Sequence, residues 1–239
     1  MNNRRTLIAA IVGGALILGA AGVGIIYFVV FAGSSPQKLA LSSPAPSSSA
    51  STSPDSSAGA GTWTVGSGSQ AGYRVRERLA ALSAPSDAVG RTTAVTGTLT
   101  LTQAASGYSV TAADFSVDVS KLSSDQSRRD QRIHSQGLES DRYPTATFKL
   151  TSPIALTADA ASGQTIHVSA TGDLTIHGVT KSVTVPIDAQ LTGSKIELVG
   201  SITFPFSKFG MTPPSIGGFV SVENTATMEF QLLLTRQGA

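Results

Sequence analysis

The chain has 239 residues, of which 41% are hydrophobic and 13% charged, and its formal net charge is +2. Part of that small surplus comes from Arg4 and Arg5 at the very start, so the charge gives no indication of nucleic-acid binding. Cysteine is absent, which excludes disulfides, thiolate metal sites, a cysteine nucleophile and a lipidated cysteine as a membrane anchor.

The first element is an apolar run over residues 7–32 that contains no charge. A helix over this run is longer than the roughly 30 Å hydrocarbon core of a bilayer, so it can span the membrane with tilt. Arg4 and Arg5 precede the run and Lys38 is the first charge after it. The positive-inside rule therefore places residues 1–6 in the cytoplasm and the rest of the chain outside, anchored to the cell membrane.

A cleaved signal peptide is the alternative for this run, because small residues near Ala32 resemble a cleavage site and cleavage would release a secreted protein. The apolar run is much longer than the usual signal-peptide core, which favours the uncleaved anchor. Residues 33–60, rich in Ser, Pro, Ala and Gly, are predicted to be a flexible linker because they offer little apolar surface to bury.

From residue 61 to 239 the pattern changes to strands separated by Gly, Ser and Pro turn signals, which predicts an all-β sandwich or barrel domain. One exposed helix is predicted over residues 124–135, with Ser123 and Gln126 as its capping box. The predicted strands cover residues 63–65, 72–78, 95–101, 109–119, 145–150, 165–176, 182–191, 195–206, 220–222 and 226–234.

The stretch from residue 172 to 187 shows the strand pattern most clearly. Apolar and polar residues alternate in two runs, around Leu174 and Ile176 and then from Val183 to Ile187, with Gly178 at the bend between them. Alternate side chains of a strand point to opposite faces, so this stretch predicts a β-hairpin with one apolar face.

The same stretch resembles the YceI-like family through its string Gly172-Asp-Leu-Thr-Ile-His-Gly-Val-Thr180. The similarity extends over roughly residues 61–235, and the other matching segments occur in the family's order. These segments are Trp63-Thr-Val65, Gly72-Tyr73-Arg-Val75-Arg-Glu77, Arg129-Asp130, Leu138, Tyr143-Pro144-Thr-Ala-Thr-Phe148, Phe209-Gly210-Met211 and Val220-Ser-Val222.

The resemblance implies a lipocalin-like antiparallel barrel of about eight strands with one short helix, which binds a polyisoprenoid or similar long-chain lipid. We expect an isoprenoid or quinone-like ligand inside the barrel, no metal and no other cofactor. Arg129 and Asp130 match a family pair and are expected to hold the helix across one end of the barrel. The candidate ligand-binding residues are Tyr73, Val75, Glu77, Phe115, Val117, Phe148, Leu174, Ile176, His177, Val183, Val185, Phe204, Phe206, Met228 and Phe230.

Glu77 departs from the family, many of whose members carry a histidine in this strand. Its carboxylate either meets water at the rim or pairs with Arg128, Arg129 or Arg132. Among the three histidines, His134 and His167 are expected to face solvent. His177, beside the bend, is expected to bond nearby backbone.

Three functions stay open at this point. The first is an extracytoplasmic lipid-binding barrel tethered by residues 7–32, and the second is a packed, ligand-free barrel that acts as a cell-envelope interaction module. The third is a hydrolase-like activity, which requires His177 and Glu77 to meet in a cleft. Because the sequence contains no nucleophile elbow, zinc-binding helix motif or phosphate loop, we expect a binding protein and not an enzyme. The oligomeric state stays open.

Overall fold

The computed structural model of the protein describes residues 35–42, 59–79, 85–192, 194–216 and 220–237. The predicted membrane-spanning run, residues 7–32, lies outside these ranges, and no helix within them is long and apolar enough to cross a membrane. The strands are β1 (Gly61–Val65), β2 (Gln70–Leu79), β3 (Ser86–Thr92), β4 (Val95–Ala104), β5 (Gly107–Asp118), β6 (Thr145–Leu150), β7 (Ile154–Thr157), β8 (Ile166–Ile176), β9 (Val179–Thr192), β10 (Lys195–Pro205), β11 (Ser215–Ile216) and β12 (Val220–Arg236). The helix α1 covers Ser127–Arg132.

The sheet closes into a barrel because β12 pairs with β10 on one side and with β1 on the other. Around the ring the order is β1, β4, β5, β6, β8, β9, β10 and β12, and all of these pairings are antiparallel. β2 continues alongside β12 where β1 ends, and β7 continues alongside β5 where β6 ends. The expected all-β barrel of eight strand positions with one short helix is confirmed.

The strand alternation read from the sequence predicts the inward face correctly. Val75, Leu174 and Val185, for example, are all buried in the barrel interior. β3 and β7 were not predicted. On β3 the inward residues Ala88 and Gly90 are small, because a Cβ on Gly90 would lie only 2.3 Å from Cε1 of Tyr73. The aromatic ring from β2 thus fills the space that larger β3 side chains would take.

Two hydrophobic clusters fill different ends of the interior. The helix-end cluster lies below α1 and the β8–β9 turn, and its buried members include Phe204, Phe206, Phe209 and Met211. The hairpin-end cluster lies below the β4–β5 and β9–β10 turns, and its buried members include Trp63, Leu99, Leu198 and Leu234. The barrel therefore has a helix end and a hairpin end with distinct cores.

The helix region differs in detail from its prediction. The regular helix is limited to α1, and a single π-helical turn, Ile133–Gly137, follows it. The capping box was wrong, because Ser123 exchanges backbone hydrogen bonds with Arg91 and the N-cap residue Gln126 makes no side-chain capping bond. Backbone pairing with β3 therefore occupies the residue that was expected to cap the helix.

A short segment of the predicted linker, residues 37–42, contacts side chains of β3, β10 and β12. Its backbone accepts hydrogen bonds from Arg91 at Gln37 and from Gln231 at Ala40, the latter 3.1 Å long. Ser42 donates from its backbone nitrogen and its hydroxyl to Glu197, at 3.0 and 3.1 Å. These six residues of the predicted linker are thus bound to β3, β12 and β10.

Candidate ligand-binding cavity

The hairpin end of the barrel contains a cavity between β4, β5, β8, β9 and β10. The centre of a water molecule can reach about 90 Å³ of it, and the unfilled space between the lining atoms, with the part open to solvent, is about 840 Å³. The enclosed volume of about 90 Å³ is smaller than the roughly 300–1,000 Å³ of sites for drug-sized ligands, so only a slender chain fits in it.

The cavity wall is almost entirely aliphatic and aromatic. Its aliphatic side chains come from alternate positions of neighbouring strands, because those positions point inward. Charged side chains are absent from the described lining. The main contributors are Leu99, Leu101, Tyr108, Val110, Leu150, Leu156, Ile166, Val168, Ala170, Ile187, Leu191, Ile196 and Leu198.

Polar groups are few in this wall. Trp63 is buried, and its indole nitrogen donates a 3.0 Å hydrogen bond to the carbonyl of Gly59. Gln190 donates from its side chain to the carbonyl of Gly163 at 2.8 Å. Tyr108 adds a phenol that is only partly buried. An apolar chain can therefore enter this cavity without desolvating a charged side chain of the described wall.

Only two of the predicted ligand-binding residues, Phe115 and Phe148, line this cavity. The remaining apolar candidates pack in or against the helix-end cluster, although Val117 and Phe230 also contact the hairpin-end cluster. As ligand-binding residues they stay predictions. Those remaining candidates are Tyr73, Val75, Val117, Leu174, Ile176, Val183, Val185, Phe204, Phe206, Met228 and Phe230.

Several lining residues were missed as candidates. Leu99, Leu101 and Leu150 had the correct inward alternation in the sequence but were not selected. Leu156 belongs to β7, a four-residue strand without a clear alternation signal. Alternation identifies the inward face of a strand but gives no depth along the barrel, so it could not locate the cavity.

At the helix end, Arg129 and Glu77 form an ion pair whose side chains are mostly buried. Arg129 Nε lies 3.2 Å from Glu77 Oε1, and its Nη2 lies 3.1 Å from Oε2, so Arg129 holds both carboxylate oxygens. Burial lowers the pKa of Arg129, but the hydrogen bonds and charge of Glu77 outweigh it and raise that pKa. Among the alternatives left open for Glu77, pairing with Arg129 is the correct one.

Asp130 and Tyr73 complete this polar network. The Asp130 carboxylate accepts hydrogen bonds from the backbone nitrogen of Ser124 at 3.0 Å and from its hydroxyl at 2.7 Å. Burial raises the pKa of the Tyr73 phenol, whose hydroxyl lies near Ser124 and Arg129 but makes no well-formed hydrogen bond. Arg129 and Asp130 therefore fix the helix region across the barrel end, as the family resemblance implied.

His177 occupies the tight turn between β8 and β9. Its φ is 54° and that of Gly178 is 71°, as a two-residue type I′ hairpin requires. Its Nδ1 lies 3.3 Å from the carbonyl of Phe209, and its ring packs edge-on against Tyr143 at 4.5 Å. Its Nε2 lies 3.3 Å from Glu139 Oε1 but makes no well-formed hydrogen bond. The expected hydrogen bond between His177 and nearby backbone is confirmed.

The hydrolase hypothesis needs Glu77 and His177 to meet, and the structure gives them different partners, Arg129 and Glu139. His167 is exposed as expected and lies 2.6 Å from Asp188. His134 was expected to face solvent, but its Nδ1 contacts the buried hydroxyl of Ser140. Within the described ranges, no group of three or more His, Asp or Glu residues could hold a metal ion.

Comparison with known proteins identifies the domain. The sequence model of a family described as the YceI-like domain matches residues 63–234. A UPF0312 protein of Vibrio parahaemolyticus is 38% identical over 79 residues, which are 33% of this chain and 37% of that protein. A UPF0312 protein of Vibrio cholerae is 29% identical over 116 residues, or 45% of this chain and 57% of that protein. The aligned region thus spans only part of each curated relative.

Among solved structures, a polyisoprenoid binding domain from Saccharophagus degradans, implicated in plant cell wall breakdown, has the same fold. It covers 74% of this chain and 99% of its own length, with a TM-score of 0.54 and 13% sequence identity. At this identity the similarity shows the shared barrel architecture alone.

Proposed function

Because the chain belongs to the YceI-like domain family, we propose that its barrel binds a long-chain apolar lipid in the hairpin-end cavity. The apolar lining of that cavity is the observation that carries the proposal. The structural neighbour from Saccharophagus degradans is a polyisoprenoid binding domain, which supports an isoprenoid or quinone-like chain as the ligand class.

The energetics of burial favour such a ligand. Each CH₂ group moved from water to an apolar site contributes about 0.8 kcal/mol, so a chain of about ten carbons can offset the entropy lost on binding. Among the polar side chains of the wall, Tyr108 and Gln190 are partly exposed, and they would contact the head group of the ligand. Holding a lipid requires no reacting group, so the proposed role is binding and not catalysis.

The location of the protein is a second part of the proposal. The uncharged run over residues 7–32, with Arg4 and Arg5 before it, supports a membrane anchor with the barrel outside the cytoplasm. Protease added to intact cells should then digest the barrel while the first residues stay protected. A soluble protein in the medium that lacks residues 1–32 would instead support cleavage near Ala32.

The rival is a packed barrel that presents its surface to cell-envelope partners without a ligand. The buried aromatic side chains of the helix-end cluster favour that reading for their own half of the interior. The cavity at the hairpin end opposes it, because a barrel that needs no ligand gains stability when side chains fill such a space.

Native mass spectrometry on the full chain, purified from its own host, tests lipid binding. A discrete added mass that disappears after organic extraction would support the proposal and identify the lipid. An unchanged mass before extraction and after incubation with isoprenoid lipids would support the packed interaction module.

A further inference from the structure

Four inward-facing aromatic rings lie around the barrel interior, and each rests on a glycine of another strand. A Cβ placed on any of these glycines would lie 2.3 to 2.6 Å from a ring atom, so no other residue fits there without moving the ring. The four rings, which we call the aromatic belt, are Tyr73 over Gly90, Phe115 over Gly97, Phe148 over Gly172 and Phe230 over Gly200.

The belt lies at the boundary between the two hydrophobic clusters. Tyr73 and Phe148 pack against the helix-end cluster, Phe115 packs against the hairpin-end cluster, and Phe230 packs against both. Phe115 and Phe148 are direct neighbours across β5 and β6 and also line the cavity. The cavity therefore ends at this side of the belt.

Phe148 shows why the belt is a fixed boundary. A Cβ on Gly172 would lie 2.5 Å from Cζ of Phe148 and 2.8 Å from its Cε2, so the ring lies directly on the Gly172 backbone. The ring keeps part of its surface exposed, but the Gly172 backbone on its other side restricts its rotamers, because turning the ring toward β8 creates clashes. A ligand chain that reaches this ring meets a rigid surface.

We propose that the aromatic belt is a stop that sets the length of the apolar chain held in the cavity. This inference rests on the proposed lipid binding and adds its chain-length selectivity. The ligand enters from the hairpin end, lies along β8 and β9, and ends against Phe148 and Phe115. Chain atoms beyond the depth of the cavity stay outside the mouth and add little to the affinity.

The depth of the cavity gives the expected length. On β8, Ile166 at the hairpin end and Gly172 below the ring of Phe148 are six positions apart in the sequence. With a rise of about 3.3 Å per residue and strands tilted by about 40°, this is a depth of about 15 Å. A chain of three isoprene units, as in farnesol, matches that depth.

Two substitutions move the stop in opposite directions. Phe148→Leu removes a ring from the belt and deepens the cavity. Ala170→Leu adds a side chain on β8 one inward position above Gly172, at a residue that lines the cavity, and makes it shallower. Phe209→Leu is the matched control, because Phe209 is completely buried in the helix-end cluster and does not line the cavity.

The test is a competition assay on the full chain, kept in solution by an amphipathic polymer without tryptophan. cis-Parinaric acid is the probe, read by energy transfer from Trp63, which lines the cavity and is the single tryptophan of the chain. The competitors are geraniol, farnesol, geranylgeraniol and solanesol, which contain two, three, four and nine isoprene units.

In the wild-type protein we expect affinity to rise about tenfold from geraniol to farnesol, because more carbons are buried, and then to level off. In Phe148→Leu the affinity should rise by about a further fivefold from farnesol to geranylgeraniol. In Ala170→Leu the affinity for farnesol should fall about tenfold, whereas the affinity for geraniol should change little. Phe209→Leu should keep the wild-type profile.

The outcomes separate this inference from the function on which it rests. If neither cis-parinaric acid nor any of the alcohols binds the wild-type protein, the proposed lipid binding is overturned and the stop with it. If the ligands bind but affinity rises through solanesol, or Phe148→Leu and Ala170→Leu share the wild-type profile, lipid binding stands and the stop is overturned.

Discussion

At the helix end the barrel interior is filled by aromatic side chains, whereas at the hairpin end aliphatic side chains surround a cavity. At the helix end, Phe204 and Phe209 pack edge to face with ring centroids 4.8 Å apart, and Phe209 has no exposed surface. Leu156, Ile166 and Val168 at the other end keep part of their surface exposed although they line the cavity. One barrel thus combines an end whose central aromatic rings are fully enclosed with an end whose aliphatic side chains surround a cavity.

The two ends also differ in their polar groups. Arg129, Glu77, Asp130 and Ser124 form a network of ion pairs and hydrogen bonds at the helix end. In the described wall of the hairpin-end cavity there is no charged side chain. The two ends therefore differ in role. The helix end is held by polar contacts, and the hairpin end exposes a surface that an apolar ligand can cover.

Phe209→Ala should have the largest effect on stability and almost none on the cavity. Removing a completely buried aromatic ring leaves a void in the helix-end cluster, which lowers the free energy of unfolding by about 4 kcal/mol. Urea unfolding followed by circular dichroism measures the loss. A loss below about 1 kcal/mol would show that the helix end is not the close-packed end.

Arg129→Met should come next, because it leaves the Glu77 carboxylate buried without its cation. Breaking a buried ion pair by removing one partner costs about 3 kcal/mol. The double variant with Glu77→Gln should recover part of that loss, and a double-mutant cycle measures the coupling. Purely additive losses would mean that the pair contributes nothing to the helix end.

Leu156→Ala should show the reverse balance at the hairpin end. Its side chain is already partly exposed, so truncation should lower the free energy of unfolding by only about 1 kcal/mol. Because the variant loses part of the cavity wall, its binding free energy for cis-parinaric acid should weaken by more than its free energy of unfolding falls. Equal affinity in Leu156→Ala and wild type would show that the lipid does not bind in this cavity.

Asp87→Asn should have the smallest effect and one that depends on pH. Burial raises the pKa of Asp87, but hydrogen bonds from Arg76 and Arg74 outweigh it and hold that pKa below its usual value. The stability from this carboxylate is therefore present at neutral pH and lost as the pH falls below about 4, through the folded-state pKa. We expect a difference from wild type below about 1 kcal/mol at neutral pH that vanishes in acid, measured by unfolding at several pH values. A difference that stays constant with pH would contradict it.

Much of the fold could be predicted from the sequence, because alternation, turn residues and β-branched side chains act locally. The strands around Leu174 and Val185 are examples, and so is the turn at Gly178. β3 escaped prediction because its inward residues are small, and their size is explained only by the ring of Tyr73 on the neighbouring strand.

The site was harder to predict than the fold. Phe148 and Phe204 have the same inward alternation in the sequence, yet one lines the cavity and the other is buried in the helix-end cluster. Their depth depends on the stagger of strands around the whole barrel, which no local pattern records. The partner of Glu77, by contrast, was among three predicted arginines, because charge complementarity restricts the choice.

Binding of an apolar chain in the hairpin-end cavity can be measured through Trp63, which lines it. The full chain is titrated with a long-chain alcohol that carries bromine near its chain terminus, because bromine quenches tryptophan fluorescence on contact. We expect saturable quenching of Trp63 that unbrominated farnesol reverses and that Ala170→Leu weakens. Quenching that rises linearly without saturation, and that neither farnesol nor the substitution changes, would contradict it.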